Sequence, residues 1–200
     1  MIWPDWREWS PARIVTDMDD NQFTRYSRHM VLPSFGLEGQ RKILDARVLV
    51  IGAGGLGSPI ILYLAASGVG ELVIADFDVV ELSNLQRQIL HNTPDLGRSK
   101  VESARETVNR LNPDVKVITI DRVFDAEDPA FVDEIELADV VVDGTDNFET
   151  RFDLNKVCVA TGTPLVSGAA IRNDAQVTVF DTRLADSPCY RCLYTDESLE

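Results

Sequence analysis

Residues 52 to 57 read Gly-Ala-Gly-Gly-Leu-Gly and follow a β-rich run, Arg-Val-Leu-Val-Ile, at 47 to 51. Gly52, Gly54 and Gly57 have the G-x-G-x-x-G spacing of a nucleotide-binding turn between a strand and a helix, with Gly55 in the same loop. In that setting Gly52 permits the tight turn, Gly54 lets a phosphate approach the backbone, and Gly57 lets the helix close on the sheet. The helix then offers free N–H groups to phosphate, and Ser58 with Pro59 suits its start. Asp76 ends the next apolar run, nineteen residues after Gly57, where a carboxylate can accept ribose hydroxyls. The other reading of the loop is a tight structural turn. Ribose and phosphate belong to NAD and ATP alike, so the loop does not choose between them.

The segment beyond Asp76 bears on that choice. Asn84, Arg87, Gln88 and Lys100 fall within seventeen positions. A dinucleotide has only two phosphates to neutralise, whereas Arg87 as a rigid fork and Lys100 as a point charge suit a triphosphate. The alternative is a solvated helix face. Asp143 and Asp146 follow an apolar run at 139 to 142, outside the carboxyl end of a strand, where open sheets bind ligands. Beside a triphosphate, Asp146 is a natural Mg²⁺ ligand, or else the cap of the helix that follows.

Cys189 and Cys192 form C-x-x-C after Pro188. The spacing suits half of a zinc site or a redox pair. A redox pair prefers a helix start after a strand, and a loop placement near the chain end favours zinc. Cys158, within a helix, reads as a small buried apolar residue. His29 and His91 belong to distant segments.

Positioning these groups requires alternating strands and helices. Strands are expected at 47–51, 71–76, 115–120, 139–143, 163–167 and 175–180. Helices are expected at 20–32 with Asp20 as cap, 38–44, 58–67, 97–111, 128–136 and 147–160. Apolar strands separated by helices predict an α/β, Rossmann-like, mostly parallel sheet flanked by helices. The last two strands, joined only by Arg172-Asn173-Asp174, form a late antiparallel hairpin. Residues 1–20 read as an N-terminal extension, in which Trp3, Trp6 and Trp9 could line one face of a docked short helix or sit in an unstructured arm. Residues 21–46 form a helical arm and 47–200 the nucleotide-binding domain.

The chain carries 33 acidic residues against 19 Lys and Arg, a net charge of -14. That balance excludes a nucleic-acid partner, which needs basic stripes. It leaves ATP open, because a few local cations can hold a triphosphate. No run approaches the roughly 18 apolar residues of a membrane span. With three cysteines, the chain reads as a reduced, cytoplasmic protein.

The segments RYSRH (25–29), VLVIGAGGLGS (48–58), DFDVVELSNLQRQILH (76–91), GRSKVESA (97–104), NRLNP (109–113), DGTDN (143–147), PLVSGAAIR (164–172) and CYRC (189–192) resemble the MoeB/ThiF/HesA family of sulfur-carrier adenylyltransferases, relatives of ubiquitin-activating enzymes. The resemblance covers residues 21 to 194, and SNLQRQ with the downstream TDN is its most specific part. It implies ATP on the glycine loop and Asp76, phosphate contacts from Arg87 and Lys100, and Asn84 and Gln88 lining the pocket. It also implies Mg²⁺ on Asp146 and a homodimer in which Arg28 reaches the neighbouring active site, with 21–46 as dimer contact. The implied reaction is attack by the C-terminal carboxylate of a ubiquitin-like carrier ending in Gly-Gly on ATP, giving an acyl-adenylate and pyrophosphate. The carrier is taken to be the small subunit of molybdopterin synthase, on the LVSGAAIR segment, ahead of the thiamine sulfur carrier. In this family zinc is completed by a second C-x-x-C further on, so only two of four ligands are present here and the domain is expected to be C-terminally incomplete. The alternatives are a non-catalytic family member that binds a nucleotide or partner, and, more remotely, an NAD-dependent reductase.

Overall fold

The computed structural model describes residues 18–194; the expected helix carrying Trp3, Trp6 and Trp9 lies outside them. Six strands form one sheet in the order β3-β2-β1-β4-β5-β6. They are β1 (Arg47–Ile51), β2 (Glu71–Ala75), β3 (Lys116–Ile120), β4 (Val140–Asp143), β5 (Leu165–Ile171) and β6 (Asp174–Phe180). Every pairing is parallel except β5 with β6.

The central strands are apolar at nearly every position because both faces are covered. Alternation then sorts their side chains between two cores. Val48, Val50, Leu72 and Ile74 pack against α3 (Gly57–Ser67) and α4 (Lys100–Leu111). Leu49, Ile51, Val73 and Ala75 pack against α5 (Pro129–Leu137) and α6 (Phe148–Thr161). Cys158 is buried in the second core, where desolvation pushes its thiol up to about 12. It is the inert apolar residue that the sequence suggests.

The helical arm is α1 (Asp20–Met30) and α2 (Gly36–Asp45). Asp19, not Asp20, caps α1, in a reciprocal capping box with Gln22. The arm is docked rather than free. Tyr26 is fully buried, and a Cβ on Gly68 would stand 2.4 Å from its ring. Asn112 ends α4 with both amide hydrogens used, donating to the Tyr26 hydroxyl and to Ala65 O, each at 2.8 Å. Gln40 makes a second tie: its Oε1 meets His29 Nδ1 at 2.9 Å and its Nε2 donates to Ser67 O at 2.8 Å.

Three boundaries move from those expected, each for a local reason. Helix α4 begins at Lys100 rather than 97, because Gly97 takes φ +80° and its N–H donates to Val80 O. Strands β5 and β6 extend to Ile171 and from Asp174, leaving a two-residue Arg172-Asn173 turn with Arg172 at φ +57°. The stretch Gly168-Ala169-Ala170 carries little strand signal of its own and becomes strand by pairing. The cysteine pair does not lie in a loop: Cys189 caps, and Cys192 lies within, a short helix α7 (Tyr190–Leu193). A helix of four residues has no periodicity to read and is held by tertiary contacts, here Tyr190 among Phe152, Phe180 and Tyr194.

Asn112 therefore joins the arm to the sheet domain. Asn112→Ala removes both buried donations, leaving the Tyr26 hydroxyl without that donor and Ala65 O with only Gly68 N–H among the described residues, and should destabilise the fold by about 1–3 kcal/mol. Urea unfolding monitored by Tyr and far-ultraviolet signals should show an earlier midpoint at unchanged slope. An unshifted midpoint would show that the arm is not held this way.

Candidate active site

Strand order reverses between β1 and β4, so their carboxyl ends part and leave a crevice, the position at which open α/β sheets bind ligands. Two glycines let the backbone close there. Gly52 turns at φ +93°, and a Cβ on it would meet Gly144 O at 2.9 Å. A Cβ on Gly57 would stand 1.8 Å from Gly52 O. Gly54 differs: a Cβ would find only Gln88 Nε2, at 3.6 Å. No protein atom requires glycine there, which fits a position kept open for a ligand. Leu56 precedes α3 with no side-chain cap, but the helix start is largely used up within the loop: Ser58 N–H donates to Gly54 O at 2.9 Å and Pro59 has no N–H, so the expected row of free N–H groups is not there.

The loop is held from two sides through one residue, Ala53. Asp76 accepts Ala53 N–H at 2.7 Å and Asp78 N–H at 2.8 Å. Behind the loop, buried His91 meets Ala53 O through Nε2 at 3.0 Å and Ser103 Oγ through Nδ1 at 2.9 Å. A carbonyl only accepts, so Nε2 carries the proton and Nδ1 accepts from the hydroxyl. Burial lowers the His91 pKa and keeps the ring neutral, with the hydrogen bond to Ala53 acting against it.

The cleft beyond has a volume of about 580 Å³, within the roughly 300–1,000 Å³ of small-molecule sites. Its walls bring together Gly52, Gly54, Gly55, Asp76, Asn84, Arg87, Gln88, Lys100 and Asp146. Lys100 opens α4 with its side chain 5% exposed, and its Nζ donates to Asp78 Oδ2 at 2.7 Å. Segments 78–80 and 97–100 run antiparallel and fix that pair: Lys100 N donates to Asp78 O and Val80 N to Arg98 O. Arg87 is exposed at the rim, where Nη2 donates to Asn84 Oδ1 at 3.1 Å. Gln88 is buried, and its Oε1 has no partner among the described residues. An open buried acceptor costs about 1–3 kcal/mol, which a donor on a bound ligand removes.

Asp143 and Asp146 separate in role. Asp143 is wholly buried; its Oδ1 accepts Thr145 N–H and Oγ1–H at 2.9 and 2.7 Å, and its Oδ2 accepts Ser167 Oγ–H at 2.7 Å. Asp146 is exposed in the cleft, and no side chain among the described residues pairs with it. Nor does it cap α6. That role belongs to Asn147, whose side chain accepts Thr150 N–H at 2.9 Å. A free carboxylate among phosphate-seeking groups is a donor set that fits Mg²⁺.

Three groups lie apart from the cleft. Arg28 is exposed on α1 and does not line its own chain's cleft. Gly57 is buried beneath the loop rather than lining it. Cys189 and Cys192 sit with sulfurs 3.5 Å apart, and no third His, Cys, Asp or Glu joins them among the described residues. Two thiols do not close a tetrahedral zinc site. Burial raises the Cys189 pKa, but hydrogen bonds from Cys192 and Arg191 outweigh it and the thiol is lowered. Sequence reasoning passed over Asp78, His91 and Gly144. Only Asp78 had a local signal, as the second carboxylate of Asp-Phe-Asp.

The comparisons with known proteins agree with this geometry. Residues 26–199 match the ThiF family model. The chain is 51% identical over 183 residues to the SAMP-activating enzyme E1 of Haloferax volcanii, covering 92% of this chain and 66% of that protein. It is 46% identical over 179 residues to the sulfur carrier protein ThiS adenylyltransferase of Escherichia coli, covering 90% and 70%. It is also 46% identical over 180 residues to the molybdopterin-synthase adenylyltransferase of the same organism, covering 90% and 71%. Among solved structures, Escherichia coli MccB with AMPCPP and MccA superposes with a TM-score of 0.74 at 28% identity, over 86% of this chain and 52% of that one. The chain thus spans about two thirds of these three sequence relatives and half of MccB. With the crevice, the glycine turn and these similarities together, the chain belongs to the ThiF family.

Proposed function

We propose that the cleft binds ATP with Mg²⁺ and that the protein adenylylates the C-terminal carboxylate of a ubiquitin-like sulfur-carrier protein ending in Gly-Gly. One observation carries the reading. The glycine turn, the carboxylates of Asp76 and Asp146, Arg87 and Lys100 converge on a single crevice. The named sequence relatives act on sulfur carriers or on SAMP, and two are adenylyltransferases by name. Between carriers, LVSGAAIR at 165–172 favours the molybdopterin-synthase small subunit over the thiamine carrier. The two Escherichia coli relatives, equal at 46% identity, do not separate them.

In this reading a carboxylate oxygen of the carrier attacks the α-phosphorus. A new P–O bond forms as the bridge to the β-phosphorus breaks, and pyrophosphate leaves with the electron pair. The nucleophile is already an anion, so no strong general base is required. The barrier lies in bringing an anion to a polyanion and in stabilising the added charge at phosphorus. Lys100 and Arg87 supply fixed positive charge beside the glycine loop. Asp76 would accept the ribose hydroxyls, with Asn84 and Gln88 beside the phosphates. Asp146 would hold Mg²⁺, which neutralises phosphate charge and orients the leaving group.

A homodimer is part of the proposal. Arg28 stands away from its own cleft, so its use in catalysis requires a second copy. Zinc at Cys189 and Cys192 requires further ligands beyond these two. No helix among the described residues is long and apolar enough to cross a membrane; the reduced cysteines fit a cytoplasmic setting.

Two measurements test this. Asp146→Asn should keep the fold, since Asn147 does the capping. It should lose carrier-dependent ATP–pyrophosphate exchange by roughly 10²-fold, the scale of losing a transition-state electrostatic contact. Its magnesium-free ATP affinity should hold or tighten. Unchanged exchange at low magnesium would remove Asp146 from the metal site. For the dimer, Arg28→Ala and Lys100→Ala proteins are each expected to be nearly inactive, and mixing them should restore one site in two. A mixed dimer that forms and stays inactive would contradict the in-trans role.

A further inference from the structure

Arg151 lies on α6, five residues after Asp146, with its side chain 6% exposed. Its Nη2 donates to Thr145 O at 2.6 Å, its Nε stands 3.5 Å from Asp143 Oδ2, and its guanidinium carbon lies 5.7 Å from the centre of the Phe148 ring. A buried cation is costly, and an apolar side chain of similar volume often stabilises a core as well or better. The guanidinium does two things that an apolar residue cannot: it pairs with the buried Asp143 carboxylate, and it holds a carbonyl.

That carbonyl has a specific place. Thr145 C=O belongs to the peptide plane that joins Thr145 to Asp146. The plane before it, carrying Thr145 N–H, is held by Asp143 at 2.9 Å. Asp143 is itself fixed to β5 through Ser167 at 2.7 Å. On the other side Asn147 is locked as the cap of α6. Thus the backbone is pinned on both flanks of Asp146, while its carboxylate faces the cleft with no side-chain partner among the described residues.

We infer that Arg151 is the positioning residue for Asp146: it fixes the Thr145–Asp146 peptide plane and so aims the carboxylate at the metal–nucleotide complex. The inference rests on the nucleotide reading of the cleft. Arg151 lines no part of that cleft, so it acts only through the loop.

The test separates positioning from general stability. ATP binding is titrated calorimetrically at a series of magnesium concentrations in wild type, Arg151→Lys and Arg151→Gln, alongside thermal unfolding of each. Lysine keeps the charge without the fork, and glutamine keeps a donor without the charge. If Arg151 aims Asp146, magnesium-free ATP affinity stays at the wild-type value. The magnesium concentration needed for half of its effect on binding then rises by roughly tenfold or more, below the ~10²-fold that a 1 Å misplacement can cost in catalysis. A third variant, Arg151→Ala, should recover part of the magnesium response when guanidinium is added at low millimolar concentration, which a purely structural residue would not show. If one substitution prevents folding, the other two are read in the same way. Folded variants with a wild-type magnesium response would overturn the inference. Wild-type protein that binds ATP without any magnesium dependence would overturn the metal reading of Asp146, and the inference with it.

Discussion

The architecture depends on one close approach of backbone to backbone. Gly52 at the end of β1, Gly57 at the start of α3 and Gly144 after β4 meet where side chains do not fit. A Cβ on Gly57, 1.8 Å from Gly52 O, would force the helix off the sheet. With glycine at these points, α3 begins hard against the strand ends, and the loop backbone lines the crevice. The crevice exists because the strand order reverses between β1 and β4. Both facts must hold together: a reversal without the turn gives an unlined gap, and a turn without the reversal gives no gap to line.

Around this backbone the charges are arranged by local rather than overall balance. The chain is strongly acidic, at -14, yet the crevice holds Arg87 and Lys100. Lys100 lies in a nearly buried position with Asp78 paired to it at 2.7 Å. Phosphate competes for the same ammonium, so Asp78 keeps the site intact without ligand. Of the two carboxylates after β4, Asp143 is spent on the loop backbone and Ser167, whereas Asp146 is left open.

Much of this was legible in the chain, because it is written locally. The apolar runs at 47–51 and 71–75, the glycine spacing and the terminal Asp76 all sit within thirty residues of one another. What was not legible is non-local. His91 reads as a stray histidine until the fold sets it 3.0 Å from Ala53 O. Arg151 reads as one more polar helix residue until its carbonyl partner is known. Asp146 and Asn147 are both good caps, and the choice fell to Asn147 because it stands directly before the helix with extended dihedrals, φ -126° and ψ 147°. The four-residue helix at the cysteine pair is formed by aromatic packing, which no periodicity announces.

The central claim is that this crevice joins AMP to a protein carboxylate. The most direct measurement incubates the protein with magnesium, ATP labelled at the α-phosphate, and a carrier ending in Gly-Gly. The account predicts label on the carrier, released by hydroxylamine and reversed by added pyrophosphate, and none on a carrier lacking its last glycine. It also predicts no label with a Lys100→Ala protein that still folds. ATP that binds in the crevice while the α-phosphate never reaches the molybdopterin-type or the thiamine-type carrier would contradict it.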